Sequence, residues 1–234
     1  MFFNRLGKFA HQREPYHYDN ITYNTRDLGG YKTKDGKYMV KPNQLIRSPY
    51  LQNIDTSGVN FLRQKGVTLD IDLRNSVQRR DAHDFSYVKH PGIKVIYDSV
   101  YSDESFFSNP DSHYCNIYTI KQPAIKAYRK AIKLILNNHG ATIFHCIQGR
   151  DRTGIVSILL LTALGVSHFD IINDYLLTRY YGDPEPYFDL HNNLKNFYHT
   201  IDRHYGSIKG YLPEVGLDEK NIEKLRKQYL MKIK

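Results

Sequence analysis

The segment HCIQGRDRTG, His145 to Gly154, holds the residue types and spacing with the clearest chemical meaning in this chain. Cys146 closes an apolar run, ATIFH, and Arg152 follows with five residues between them; Thr153 and Gly154 then open a second apolar run. A thiol between a strand and a helix sits at the positive end of the helix dipole. There the backbone N–H groups of Ile147, Gln148, Gly149, Arg150, Asp151 and Arg152 can wrap around a tetrahedral anion. The same field favours the thiolate over the thiol. Arg152 supplies a planar, permanently charged fork that matches two phosphate oxygens. Gly149 keeps a Cβ out of a tight loop. Thr153 can donate its hydroxyl to the sulfur as it departs, and His145, on the strand beside the thiol, reads as a supporting residue rather than a base. The chemistry implied is nucleophilic attack of Cys146 on a phosphate monoester.

Such a reaction needs a proton donor for the leaving oxygen. Asp151 lies inside the loop, among developing negative charges that raise its affinity for a proton. Asp72, in the run DLR, is the alternative, with orientation of Arg152 or a loop amide as its competing role. A third set is Asp98, Asp103 and Asp111 on the stretch that follows. Two other readings of Cys146 exist: a buried inert cysteine, and a metal site built from His113, Cys115, His145 and Cys146. The spacing of those four is not that of known zinc ligand sets.

The surrounding elements follow from periodicity. DTSGVNFLRQK at 55–65 reads as a helix after an Asp/Thr/Ser cap, VTLDIDL at 67–73 and IKVIYDSV at 93–100 as strands, and 123–138 as an amphipathic helix opened by Pro123. ATIFHC is a short buried strand, and TGIVSILLLTALG, apolar on nearly every side, a buried central helix ending at Gly165. Ser167 and Asp170 form a capping box, with Val166 and Ile171 as its hydrophobic staple, for a helix reaching about Tyr180. Further helices are expected over 184–205 and after the cap Asp218. Asp35-Gly36 predicts a type I′ hairpin, and Gly29-Gly30 a turn or close approach. The expected architecture is α/β: a central, mostly parallel sheet flanked by helices, with a helical C-terminal third. Residues 1–18 read as an irregular, loosely attached segment. Residues 19–234 read as one domain, in which the helices of about 167–212 either form a lid or simply pack on the central helix.

HCIQGRDRTG resembles the signature loop of the protein tyrosine phosphatase superfamily. NTRDLGGY at 24–31, LIRSPYL at 45–51 and DLR at 72–74 narrow the likeness to the bacterial atypical tyrosine/serine phosphatase family, over about Asn24 to Leu230. The resemblance implies a protein tyrosine phosphatase-like fold, a phosphocysteine mechanism without metal, and a phosphorylated protein as substrate. Phosphotyrosine comes first, and phosphoserine, phosphothreonine or phosphoinositides are accepted by some members. Arg150 stands where relatives usually have Lys, and Gln148 where they have a small residue. Arg26-Asp27 and Arg47-Ser48 are read as a buried ion-pair scaffold beneath the loop, with substrate contact as the alternative.

Composition sets outer bounds. The chain has 234 residues, a formal net charge of +9 and two cysteines, which cannot build a disulfide framework. The basic residues are scattered apart from RNSVQRRD at 74–81 and the C-terminal EKLRKQYLMKIK, so a solvated basic surface is the expectation. No nucleic-acid-binding motif is visible. No apolar run reaches the length needed to span a bilayer, and MFFNRLGKFAHQ lacks the apolar core of a signal peptide. Cytoplasmic residence is the expectation, with secretion of a processed form left open, and the sequence does not specify an oligomeric state.

Overall fold

The computed structural model describes residues 2–18, 20–51, 54–81, 92–100, 119–181 and 189–233. In chain order the elements are α1 (Phe2–Gln12), a 3₁₀ turn (Glu14–Tyr16), β1 (Arg26–Asp27), β2 (Tyr38–Val40), β3 (Leu45–Ser48), α2 (Thr56–Gln64), β4 (Val67–Asp72), α3 (Ser76–Asp81), β5 (Lys94–Tyr97), α4 (Gln122–Asn137) and β6 (Ala141–His145). Then come α5 (Asp151–Leu164), α6 (His168–Tyr180), α7 (Leu190–Tyr205), α8 (Ile208–Tyr211), a second 3₁₀ turn (Leu212–Val215), α9 (Glu219–Tyr229) and β7 (Leu230–Lys232).

The main sheet runs β1-β3-β6-β4-β5; only β1 is antiparallel to its neighbour, so the expected mostly parallel α/β sheet is present. Every residue of β6 is buried, as befits a central parallel strand covered on both faces. His145 is in register with Ser48 of β3 and Asp72 of β4, so three strands end together at one edge of the sheet. The irregularity between Val67 and Leu69 changes the face that β4 presents. Val67 therefore joins Ile46, Val59, Leu62 and Ile143 on the α2 side. Leu69 and Ile71 join the larger core with α4 and α5.

Helix α5 is the spine of that core: every residue except Thr162 is buried. Each fully buried Leu, Ile or Val contributes about 1.5–3 kcal/mol relative to exposure. Its N-terminus faces the common strand end, which is what brings the loop 146–150 over the sheet edge. The capping predictions for the following helices hold. Ser167 Oγ accepts from Asp170 N at 3.1 Å and Asp218 Oδ1 from Asn221 N at 2.8 Å.

Three local expectations are corrected. The N-terminal segment is not irregular: α1 packs on α6, and Arg13 lies over the rings of Tyr16 and Tyr31 while donating to the carbonyls of Gly29 (2.6 Å) and Asp27 (2.5 Å). Buried donors and cation–π contacts tie it down. The hairpin at 33–38 is not a type I′ turn, because only Gly36 (φ 71°) has positive φ. Asp35 instead folds back to accept from Thr33 Oγ1 and Lys37 N, and Thr33 N donates to Tyr38 O across a longer loop. The strand expected over 93–100 is regular only over Lys94–Tyr97, although Asp98 N and Val100 N continue bonding to Asp72 O and Leu73 O. The opening of the helix expected at 184–205 lies outside the described residues; α7 begins at Leu190.

Candidate active site

Cys146 is the first residue after β6, and Asp151 and Arg152 are the first two of α5. The intervening loop is suspended by its carbonyls. Ile147 O accepts from Tyr50 N (2.9 Å), Gln148 O from Asn24 Nδ2 (3.0 Å) and Gly149 O from Arg47 Nη2 (2.7 Å). In a trans peptide the N–H points opposite to the C=O. Carbonyls anchored outward therefore turn the N–H groups of Gln148, Gly149 and Arg150 to the other side, where they form a concave donor array. Helix α5 has no side-chain cap at Arg150, so its first N–H groups add to that array. Gly149 has φ 64°, and a Cβ there would lie 2.6 Å from Pro49 N and the Ser48 carbonyl group.

Cys146 lies at the floor of this cradle, 2% exposed. Burial alone would raise its thiol. The Arg152 guanidinium, together with the hydroxyl and N–H of Thr153, overrides that and brings it below the ordinary range. Arg152, 4% exposed, donates through Nη1 to Gln78 Oε1 at 2.8 Å and to Leu73 O at 3.3 Å. His145 is buried beneath the loop with Nε2 3.3 Å from Asp70 Oδ1 and Nδ1 3.9 Å from Asp72 Oδ1. Burial pulls its pKa down, but Asp70 and Asp72 outweigh burial and raise it.

The acid candidates differ in their partners. Asp72 is clasped by Arg74: Nε and Nη2 donate to its two oxygens at 2.9 and 2.8 Å, and Arg74 N donates at 2.9 Å. Burial opposes ionisation, yet His145 and Arg74 hold this carboxyl below its usual range. A carboxylate so bound is held in its ionised form. It does not bond Arg152; it orients Arg74. Asp98 is raised by burial, but its carboxylate turns to Lys130 Nζ at 3.2 Å. Asp151 stands at the loop's end, 8% exposed, with Arg150 Nε 3.2 Å from Oδ2, and its charge is felt at Cys146. Asp103 and Asp111 lie outside the described residues, as do His113 and Cys115 of the metal alternative. Among the described residues no group of three or more His, Cys, Asp or Glu could hold a metal ion, and no helix is long and apolar enough to cross a membrane.

The scaffold reading of Arg26 and Arg47 holds, but the partner is one that sequence reasoning missed. Both guanidiniums converge on Asp174 of α6: Arg26 Nε at 3.0 Å and Arg47 Nη1 at 2.5 Å. Tyr31 OH adds a bond at 3.1 Å. Asp27 belongs to a different set, accepting from Gly29 N and Asn43 N, while Ser48 Oγ bonds Thr25 Oγ1 at 2.9 Å. Asn24, held at φ 58°, was also missed; a left-handed Asn before a short strand gave no chemical signal. An open cleft of about 630 Å³ lined by Thr33, Tyr38, Leu164, Arg226 and Leu230 lies at the other end of α5 and contains none of these groups.

A sequence-family model described as the tyrosine phosphatase family matches residues 20–231. A tyrosine-protein phosphatase of Nostoc commune is 25% identical over 221 residues, covering 80% of this chain and 74% of the relative. The triple specificity protein phosphatase PtpB of Mycobacterium tuberculosis is 24% identical, covering 87% of this chain and 95% of the relative. Among solved structures, TpbA of P. aeruginosa superposes with a TM-score of 0.43 at 12% identity, covering 85% of this chain and 94% of that one.

Proposed function

The chain belongs to the tyrosine phosphatase family and is an enzyme of that class; from that premise we propose that it dephosphorylates phosphotyrosine in proteins through a phosphocysteine intermediate on Cys146. The observation that carries the mechanism is the buried sulfur at the floor of a loop whose carbonyls are tied outward, with Arg152 and Thr153 lowering its pKa. The phosphate dianion docks on the loop N–H groups and the Arg152 fork. The Cys146 thiolate attacks phosphorus in line, and the bond from phosphorus to the phenolic oxygen breaks with its electron pair leaving on oxygen. Asp151 delivers the proton to that oxygen. Its pairing with Arg150 positions the carboxyl, and the arriving dianion favours the protonated form. Water then attacks the phosphocysteine, giving its proton to Asp151, and the S–P bond breaks to regenerate the thiolate while the Thr153 hydroxyl stabilises the departing sulfur.

Phosphoserine and phosphothreonine form the second substrate class, suggested by the triple specificity of the mycobacterial relative. Phosphoinositides are less well supported: Arg150, which would meet a lipid headgroup, is 2% exposed and paired with Asp151. The test is a panel of phosphotyrosine, phosphoserine and phosphothreonine peptides and phosphoinositide vesicles, run on wild type and C146S. Turnover of phosphotyrosine that disappears in C146S is expected. Full activity in C146S would refute the covalent route.

A further inference from the structure

In the sequence, RNSVQRRD reads only as a basic cluster. In the structure its single neutral polar side chain in the middle of α3 does something specific. Gln78 N donates to Asn75 Oδ1 at 2.8 Å, and Asn75 N donates to Gln78 Oε1 at 3.3 Å, a reciprocal cap at the start of α3. The same Gln78 oxygen accepts from Arg152 Nη1 at 2.8 Å. Leu73 O, in the turn that joins β4 to α3, accepts from the same nitrogen at 3.3 Å. One corner of the Arg152 fork is thus held by two acceptors on the β4–α3 connection, and both are uncharged.

That neutrality matters. A carboxylate can hold a guanidinium equally well, but it also cancels the positive charge felt by neighbouring anions. The Arg152 charge is what most strongly counters burial at the Cys146 sulfur. We propose that Gln78 is a positioning residue for Arg152: it fixes the guanidinium through an amide oxygen and brings no negative charge of its own beside the Cys146 thiolate and the phosphate dianion. This rests on the phosphocysteine reading above.

Two substitutions separate orientation from charge. Q78E keeps an acceptor and the reciprocal cap but adds a negative charge; Q78A removes the acceptor and keeps the charge balance. The readout is the rate of Cys146 alkylation by iodoacetamide against pH, which needs no turnover, alongside kcat/KM on a phosphotyrosine peptide. Q78E is expected to shift the alkylation profile upward by about one pH unit and to lower kcat/KM. Q78A is expected to leave the alkylation profile in place while kcat/KM falls about tenfold, the effect of one lost hydrogen bond to a charged group. N75A, which breaks the cap but not the contact with Arg152, controls for a loosened α3 and should retain kcat/KM. The inference is overturned if Q78E leaves the alkylation profile unmoved, or if N75A loses as much kcat/KM as Q78A. Activity surviving in C146S would instead count against the phosphocysteine mechanism.

Discussion

Asp174 and Arg47 are 127 positions apart in the chain and 2.5 Å apart in the structure. Arg47 reaches past that carboxylate to hold Gly149 O at 2.7 Å, so a residue of α6 supports the anion-binding loop through one intervening guanidinium. Arg26 is held by the same carboxylate, and all three side chains are essentially inaccessible to water. Two buried cations therefore depend on one anion.

Replacing Asp174 with Asn leaves both guanidiniums buried without their counter-charge. D174N should lose roughly 3–5 kcal/mol of stability, the usual cost of removing one partner from a buried ion pair. Activity should fall with it, because Gly149 loses a fixed anchor. Burial would raise the Asp174 carboxyl, but Arg26 and Arg47 outweigh burial and hold it far below its ordinary value of 3.8. A depressed folded-state pKa contributes stability above the unfolded value, lost as pH falls through the folded one. Urea titrations between pH 2 and 5 should show a decline on acidification that is smaller in D174N.

Asp27 titrates in the opposite sense. Burial raises it from 3.8 to about 6, against the amides of Asn43 and Gly29 and the Arg13 charge. A raised folded-state pKa contributes stability that is complete below about pH 4 and gone once pH has risen through about 6, on the order of 3 kcal/mol for a shift of this size. D27N removes the dependence. Relative to wild type it should be about 3 kcal/mol more favourable at pH 7 than at pH 4 in denaturant titrations. A pH-independent difference would count against the assignment.

D151N and D72N should divide by leaving group. Loss of the proton donor slows poor leaving groups by about 10²–10³ and activated ones far less, within the range seen for general acid catalysis. D151N should therefore lose most of its rate on phenyl phosphate, less than about tenfold on p-nitrophenyl phosphate, and the basic limb of its pH–rate profile. D72N should slow both esters by a similar factor, because its partner is Arg74, fixed by a bidentate pair. Equal losses on both esters in D151N would move the proton donor elsewhere.

The site was legible where its chemistry is contiguous. Cys146, the loop and Arg152 occupy one strand–loop–helix passage, so residue type, spacing and periodicity all bear on the same seven positions. Asp174 was not legible. It sits on a helix where an isolated Asp reads as solvated, and its partners, Arg26 and Arg47, come from 148 and 127 positions away. Gln78 was hidden differently, inside a charge cluster that drew attention to its arginines. The parallel sheet and the buried α5 followed from apolar runs and caps. The missed α1 is held by Arg13, whose bonds go to residues 14 and 16 positions on. Long-range polar contacts of this kind leave no local pattern.

Gly149→Ala tests the loop itself, and Gly36→Ala is its matched control. Both glycines have similar positive φ, 64° and 71°. A Cβ pays a conformational cost of roughly 1–2 kcal/mol in that region wherever it occurs. At Gly36 nothing lies within 4 Å of the added atom, so G36A should show only that cost and unchanged kcat/KM. At Gly149 the added atom would sit 2.6 Å from the Ser48–Pro49 backbone, which cannot swing aside as a side chain can. The loop must move, and with it the N–H groups aimed at the phosphate. G149A should thus lose kcat/KM by at least about 10²-fold, the scale of losing one preorganised donor, while its stability falls only slightly further than that of G36A. Equal kcat/KM in the two variants would mean that the loop tolerates displacement and that its tight geometry is not what binds the anion.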